Sequence, residues 1–534
     1  MSLIIKRIFL VLIFYFSNAI ANCNAVEPVN SKCSDSNFHS FVAKKINISV
    51  NNSDFNHNLE FLYSPYLNKQ MNCEDLSQLK NKISEYIISQ DYLRPEIKIS
   101  LQDLKSGTLD FEVTLVNISD IILVNSDLSN NLIEEYSRKI LSAKPTKVKY
   151  TFRYLALMSK IPGYTVEQEL RRSTQTTKLY LVITLSRIKG IINASVDNYN
   201  IFALGKIDQV IGAQVFSPFG KNDLFSIQGG TTNHPDRFYT FMTGYSRPIN
   251  SYGSFINLIG SRTISNASLH NSVPTKSGVD ILMSSNIGHH LYLDSKNDLI
   301  GAINYSIMES KVYEVDTNNV AIPSLYTQYY SVGAGLQYLF KDSFNGDNVI
   351  GVAYNRGIGG KYNDYTGNNS PINLEYDLSG LNVSRNQPLF SDFSLFSAAT
   401  ASKVTKYAPG AVGLALGGRG YGRGYSAGTL IGNNLLAASF ELRYNKAIKD
   451  SEAINNINLY MFYDIGYIGP KDSDSTPNVC NLSSVGPGLR MNLLYDIQLS
   501  SEVAFPIRKN YIMGDLVYKA IPKATFFIGK TFKY

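Results

Sequence analysis

Two kinds of hydrophobic periodicity divide this chain. Between residues 41 and 188, short alternating runs are interleaved with runs whose apolar residues recur every three or four positions; from Gly190 onward only the alternation remains. Lys45-Ile46-Asn47-Ile48-Ser49-Val50 alternates and predicts a strand, and Asn58 to Leu67 predicts a first helix. Asn72 is placed to cap a second helix, with Glu74 and Asp75 at its positive end and Leu76, Leu79, Ile83 and Ile87 along one face. Ile97 to Leu101 and Thr108 to Val116 alternate again around a Ser106-Gly107 turn. The order then repeats: strand Ile118 to Val124, helices Asn131 to Ser142 and Pro145 to Ser159, the break Ile161-Pro162-Gly163, and strands Tyr164 to Arg171 and Lys178 to Leu185. Two small α+β modules, 41–116 and 117–188, account for this stretch. Their sheet edges can accept an extended peptide as an added strand. A passive spacer would carry the same pattern, and the pattern does not choose between them.

In the second stretch, Leu435 to Asn445 sets Leu436, Ala438, Phe440, Leu442 and Tyr444 on one face and Ser439, Glu441, Arg443 and Asn445 on the other. Ile457 to Tyr467 repeats this, with Ile457, Leu459, Met461, Tyr463, Ile465 and Tyr467 opposed to Asn458, Tyr460, Phe462, Asp464 and Gly466. Val332 to Phe340 opposes apolar residues to Gly333, Gly335 and Gln337. A continuously apolar face backed by a polar or glycine face fits lipid outside and a watery lumen inside. Without helices, only a closed barrel satisfies its backbone in lipid. A soluble sandwich would turn the apolar face inward; the length of the stretch and its lack of domain breaks favour the barrel. About 16 such runs fit between 189 and 534, a size these barrels adopt.

Composition sharpens the division. Of 38 glycines in 534 residues, only Gly107 and Gly163 precede residue 189. No apolar stretch is long enough for a membrane helix. At the start, Lys6 and Arg7, the apolar run Ile8 to Phe16 and the small residues Ala19-Ile20-Ala21 read as a secretory signal over 1–21, cleaved after Ala21. The polar stretch 22–40 reads as a short flexible lead-in. The net charge of +7 is mild for this length and gives no sign of nucleic-acid binding. Cys23, Cys33, Cys73 and Cys480 form no C-x-x-C pair, which argues against metal and thioredoxin-type chemistry. In an exported protein Cys23 and Cys33 can close a small disulfide, and free thiols remain an equal alternative. The six histidines show no metal-like spacing and read as surface or loop residues, with His289 and His290 on opposite faces of a strand. No catalytic residue, metal or cofactor is expected.

Residues 408–432 stand apart: nine glycines fall within 410–432, and Arg419 and Arg423 are its only charges. A phosphate-cradling loop would need a helix to follow. Here strand 435–445 follows instead. A long loop so poor in charge can fold back into a lumen, where an arginine at its tip needs an acceptor. Asp464 on the inward face of the next strand is the first candidate and Glu441 the second.

These residues carry a resemblance. Gly422-Arg423-Gly424-Tyr425 resembles the V-R-G-[FY] tip of the sixth extracellular loop in POTRA-bearing outer-membrane barrels. Phe462-Tyr463-Asp464-Ile465-Gly466 resembles their F-x-D-x-G motif on the thirteenth strand, with Phe462, Asp464 and Gly466 at the motif positions. Gln102 to Leu109, Ile161-Pro162-Gly163 and Asp197-Asn198 are similar to segments of the TpsB branch, the two-partner secretion transporters of haemolysin secretion/activation type. The last strand, with Gly529, Phe532 and Tyr534, resembles the assembly signal of outer-membrane barrels. Gly422 departs from the usual valine, and 22–40 is too short and polar for the plug helix of some members.

The resemblance implies a transmembrane β-barrel of about 16 antiparallel strands over 189–534, preceded by two POTRA domains. It implies an outer-membrane location, with lipid around the barrel, POTRA domains in the periplasm and the barrel-assembly machinery as a partner in biogenesis. It further implies a TpsA-like exoprotein client, taken unfolded and passed through without ATP. An insertase of the same superfamily is the runner-up, though such proteins usually carry more POTRA domains. A solute porin is a third reading.

Overall fold

The computed structural model describes residues 40–534 except 53–54, 56, 101–105, 174–177, 201–202, 268–275, 316–319, 368–371, 406, 449–450, 452, 470–479, 508–509, 514–515 and 520. The expected signal, most of the lead-in, the Cys23–Cys33 pairing and the Gln102 to Lys105 segment lie outside the described residues. The chain divides into two compact units, one running to Arg187 and including Leu293–Ser295, the other formed by Ile188–Tyr292 and Lys296–Tyr534.

The first unit holds two three-stranded sheets, each with a parallel and an antiparallel pair. Lys45–Val50 runs parallel to Thr108–Thr114, which pairs antiparallel with Glu96–Ser100. Ile118–Val124 runs parallel to Leu179–Arg187, which pairs antiparallel with Tyr164–Arg172. Helix Cys73–Ser89 begins with a capping box: Asp75 N–H donates to Asn72 Oδ1 and Asn72 N–H to Asp75 Oδ2, both at 2.9 Å. Its apolar stripe, Leu76, Leu79, Ile83 and Ile87, is buried with Ile46, Leu109, Phe111 and Val113. In the second module, Ile133, Tyr136 and Ile140 of helix Asn131–Ser142 bury with Leu155 and Met158 of helix Val148–Ser159 and with Val166, Leu181 and Ile183.

Two helices differ from the sequence expectation. The one expected over Asn58 to Leu67 is a single turn, Glu60–Tyr63, followed by a 3-10 turn, Ser64–Tyr66. Pro65 has no N–H to continue the α-helical ladder. The helix expected from Pro145 starts at Val148. Thr146 is tied instead to the preceding segment: its Oγ1 accepts from Ile118 N–H at 2.9 Å, and its own N–H donates to Asn117 Oδ1 at 3.1 Å. Cys73 is disulfide-bonded, which the sequence reading did not anticipate.

In the second unit, sixteen strands of the described residues close an antiparallel barrel. The first, Gly190–Asp197, pairs with the last, Lys523–Lys533, from Ile191↔Lys533 to Asp197↔Phe527. The sixth to ninth strands, Lys276–Leu293, Asn297–Val315, Ala321–Lys341 and Asp347–Asp364, run 18, 19, 21 and 18 residues. These lengths exceed the about 9–11 residues that a tilted membrane strand needs. The connections at the end carrying both barrel termini are short, such as Leu494–Asp496. The longest connection, between the eleventh strand, Phe393–Val404, and the twelfth, Asn434–Ala447, is at the opposite end and is the sixth there.

Alternation maps onto the wall. Leu436, Phe440, Leu442, Leu459, Met461, Tyr463 and Ile465 are exposed on the outside, while Ser439, Glu441, Tyr460, Phe462 and Asp464 are buried inside. His289 and His290 lie on opposite faces of the sixth strand. His290, however, is buried, with Nδ1 at 2.7 Å from Asp298 Oδ1, so the surface or loop reading fails for it. An inward histidine beside an inward carboxylate on the neighbouring strand is set by strand pairing, which spacing along the chain does not display.

Candidate functional site: an arginine-anchored loop in the barrel lumen

The sixth connection turns back inside the barrel because its residues can pack there. Leu414–Leu416 pairs with Leu430–Gly432 as a short hairpin. Leu416, Tyr425 and Leu430 are buried together with Ala437, Ile468 and Leu482 of the twelfth to fourteenth strands. Gly466 makes room for this hairpin, since a Cβ there would sit 2.4 Å from the Leu416 side chain. Gly424 lets the tip approach the wall, where a Cβ would meet Pro506 N at 2.9 Å and Ser484 Cβ at 3.0 Å. Gly422 has φ +85°, a left-handed conformation. The glycine in place of the usual valine therefore suits the backbone here.

Arg423, between these two glycines, is 7% exposed. Its Nε and one terminal nitrogen donate to the two oxygens of Asp464 at 2.9 and 2.8 Å, and its backbone N–H donates to Asp464 Oδ2 at 3.0 Å. The other terminal nitrogen donates to Glu441 Oε1 at 2.7 Å and Glu502 Oε2 at 3.1 Å. The guanidinium lies 3.6 Å from the centre of the Phe462 ring. Asp464 is fully buried and also accepts from Ser439 Oγ at 2.8 Å and Ser484 Oγ at 3.3 Å. Buried charges need this degree of pairing, because desolvation otherwise outweighs their attraction.

The cluster extends beyond the residues singled out in the sequence. Glu441 accepts from Arg443 Nε at 2.7 Å and from both terminal nitrogens of Arg490 at 3.0 Å. Tyr460 donates to Glu502 at 2.9 Å and lies 3.8 Å beneath Arg490. Three arginines thus meet three carboxylates, a balanced charge set inside the wall of the twelfth to fifteenth strands. Ser439 and Arg443 share the inward face already read for Glu441. Glu502 sits on Ile497–Pro506, whose alternation would have placed it inward had charge been counted strand by strand. Arg490 needed the strand register to reveal it.

Arg419 does not join this cluster. It stacks 4.4 Å from the Tyr199 ring centre and 5.7 Å from that of Phe527, beside the seam between first and last strands. At that seam, Asn198 extends the ladder with its side chain, donating to Ala524 O at 3.0 Å and accepting from Phe526 N–H at 2.8 Å. Gly529 lies on the same strand, where a Cβ would meet the Phe527 ring at 2.8 Å. Phe532 and Tyr534 are exposed, and the Tyr534 backbone pairs with Gly190 at 3.1 and 3.2 Å.

The loop also spells G-x-S-x-G over Gly424-Tyr425-Ser426-Ala427-Gly428, which the sequence reading passed over. That motif acts only on a strand-to-helix elbow beside a histidine. Here Ser426 is an exposed loop residue followed by strand Leu430–Gly432. The site is thus built to hold a loop, and its chemistry is ion pairing.

Comparison with known proteins follows the same division of the chain. The family model for haemolysin secretion/activation protein ShlB/FhaC/HecB matches residues 180–491, and that for the ShlB-type POTRA domain matches 41–115. The heme/hemopexin transporter protein HuxB of Haemophilus influenzae is 25% identical over 197 residues, 35% of this chain and 35% of that protein. The match thus spans about a third of the curated relative's length. Among solved structures, CdiB from Escherichia coli superposes with a TM-score of 0.73 at 16% identity, covering 96% of this chain and 95% of that one. CdiB from Acinetobacter baumannii gives 0.64 at 17% identity, covering 93% and 90%. BamA from Haemophilus ducreyi lacking POTRA domains 1–3 gives 0.52 at 14% identity, covering 92% and 100%. At such identities these structures speak for the fold, that of an outer-membrane barrel. Two family models in chain order, the longer matching more than half of it, show that this chain belongs to the haemolysin secretion/activation family ShlB/FhaC/HecB.

Proposed function

We propose that this protein is the outer-membrane transporter of a two-partner secretion system. In this reading the POTRA domains lie in the periplasm and receive an unfolded exoprotein of haemolysin or adhesin type. Lys45–Val50 and Ile118–Val124, each at a sheet edge among the described residues, are suited to take an extended client segment as an added strand. The barrel then passes the client to the surface without ATP, and no catalytic step is involved. The observation that carries the reading is the loop held inside the lumen by Arg423 on Asp464, Glu441 and Glu502. A pore for small solutes has no use for so large an internal anchor joined to two POTRA domains. Loop position, set by this cluster, would govern whether the lumen admits a client. Gly529, Phe532 and Tyr534 would serve recognition by the barrel-assembly machinery.

The test is secretion of a large β-helical repeat protein encoded beside this chain, with and without it. Secretion should require this chain and fall in Arg423→Ala at normal barrel levels. Export that proceeds without the chain would sink the transport reading, and unchanged export by Arg423→Ala would sink the role given to the loop.

A further inference from the structure

A second inward-packed segment lies apart from the arginine cluster. Leu374 and Tyr376 immediately precede the tenth strand, Asp377–Pro388. Tyr376 is 2% exposed, packed with Tyr329, Val404 and Ala408, with Met308, Leu374, Leu378, Val412 and Leu414 around them. Its ring meets that of Tyr329 edge-on at 5.7 Å and 84°. Tyr329 and Ser331 flank a register shift between the eighth and ninth strands. Such irregularities re-aim side chains. The ninth strand is cut away opposite: a Cβ on Gly357 would sit 2.1 Å from Leu374 O and 2.7 Å from the Tyr376 ring, and Gly357 N–H donates to Tyr376 O at 2.8 Å. Asn373 N–H donates to Tyr407 O at 2.6 Å, tying the segment to the start of the arginine loop. Leu414 packs against both this cluster and the one around Leu416 and Tyr425, so apolar contacts run along the inner wall from the seventh strand to the fourteenth.

We infer that Asn373–Tyr376 is a second lid on the lumen, seated on Gly357 and latched by Tyr376 against Tyr329, and that it opens together with the arginine-anchored loop. This rests on the reading of the barrel as a protein conduit. The segment packs on the seventh, eighth and eleventh strands, away from the twelfth to fifteenth strands that hold the Arg423 cluster. The two inward segments share Leu414, so a shift of one is felt by the other. The latch is apolar and aromatic, so it yields without stranding a buried charge, whereas the Arg423 anchor cannot.

The experiment is ion current through the full-length protein in planar bilayers. Tyr376→Ala should raise the time spent in open states by about tenfold, as expected for loss of a buried aromatic pair. Gly357→Val, which obstructs the seat and leaves Tyr376 in place, should do the same, and Tyr376→Phe should stay near the parent. Bridging Leu374→Cys to Val412→Cys with a short bis-maleimide should suppress openings relative to the parent treated alike. Currents from Tyr376→Ala and Gly357→Val that match the parent, in barrels that remain heat-modifiable on gels, overturn the lid. A barrel that gates in this way yet exports nothing sinks the transport reading alone. One that exports with unaltered variant currents sinks the lid alone.

Discussion

Arg423 and Asp464 are joined by three hydrogen bonds of 2.8 to 3.0 Å, one of them from the arginine's own backbone. Because the backbone takes part, the pair fixes the loop's path as well as the side chain's charge. Removing the guanidinium leaves Asp464, Glu441 and Glu502 buried beside only two arginines. Arg423→Ala should destabilise the barrel by ~3–5 kcal/mol, the usual consequence of stranding a buried charge. Thermal unfolding in detergent measures this, and chymotrypsin should begin to cut the folded barrel at Tyr421 or Tyr425. Arg423→Lys should recover only part of the loss, since an ammonium cannot span both carboxylate oxygens.

The pair should be strongly coupled. In a double-mutant cycle, Arg423→Ala and Asp464→Ala should show an interaction energy of about 2–3 kcal/mol. Additive effects would mean that the contact carries no energy of its own.

Glu441 and Glu502 should differ. Glu441 accepts from Arg423, Arg443 and Arg490, whereas Glu502 accepts from Arg423 and Tyr460. Glu441→Gln should therefore lower stability by ~3 kcal/mol and Glu502→Gln by ~1 kcal/mol. Unfolding midpoints of the two variants, compared at equal barrel levels, test the order.

Gly422→Val places the family's usual residue at the tip and should nonetheless harm this protein. At φ +85° a β-branched side chain is strained by ~1–3 kcal/mol. Increased chymotryptic cleavage at Tyr425 and reduced export are expected, and parental behaviour would show that the tip relaxes freely.

Asn198→Ala removes two hydrogen bonds that prolong the seam past Asp197↔Phe527. A loss of about 1–2 kcal/mol follows if both act as ordinary bonds. It should appear as a lower temperature for the shift from folded to unfolded mobility on gels.

Much of this was legible in the residues themselves. Strand Lys45–Val50, helix Asn131–Ser142 and the capping by Asn72 are local: a period of two or of three to four residues, or a side chain reaching three positions ahead, is written in consecutive letters. Pro65 and Thr146 show the limits, since a missing N–H and a bond to Ile118 shortened helices whose apolar pattern looked longer. The inward faces of Glu441 and Asp464 were equally plain from alternation.

Local pattern along the chain set the two architectures, the face each strand turns outward, and the loop with its arginine and first acceptors. Tertiary structure alone decided the company that arginine keeps. Glu502 is 79 residues from Arg423, and Arg490 reaches Glu441 across 49. Tyr329 and Tyr376 meet only because a register shift and Gly357 open a seat between the eighth and ninth strands. Side-chain direction along a strand follows from local backbone geometry. Which strands stand side by side, and in what register, is set by the closure of sixteen of them, to which every strand contributes and which no single stretch specifies.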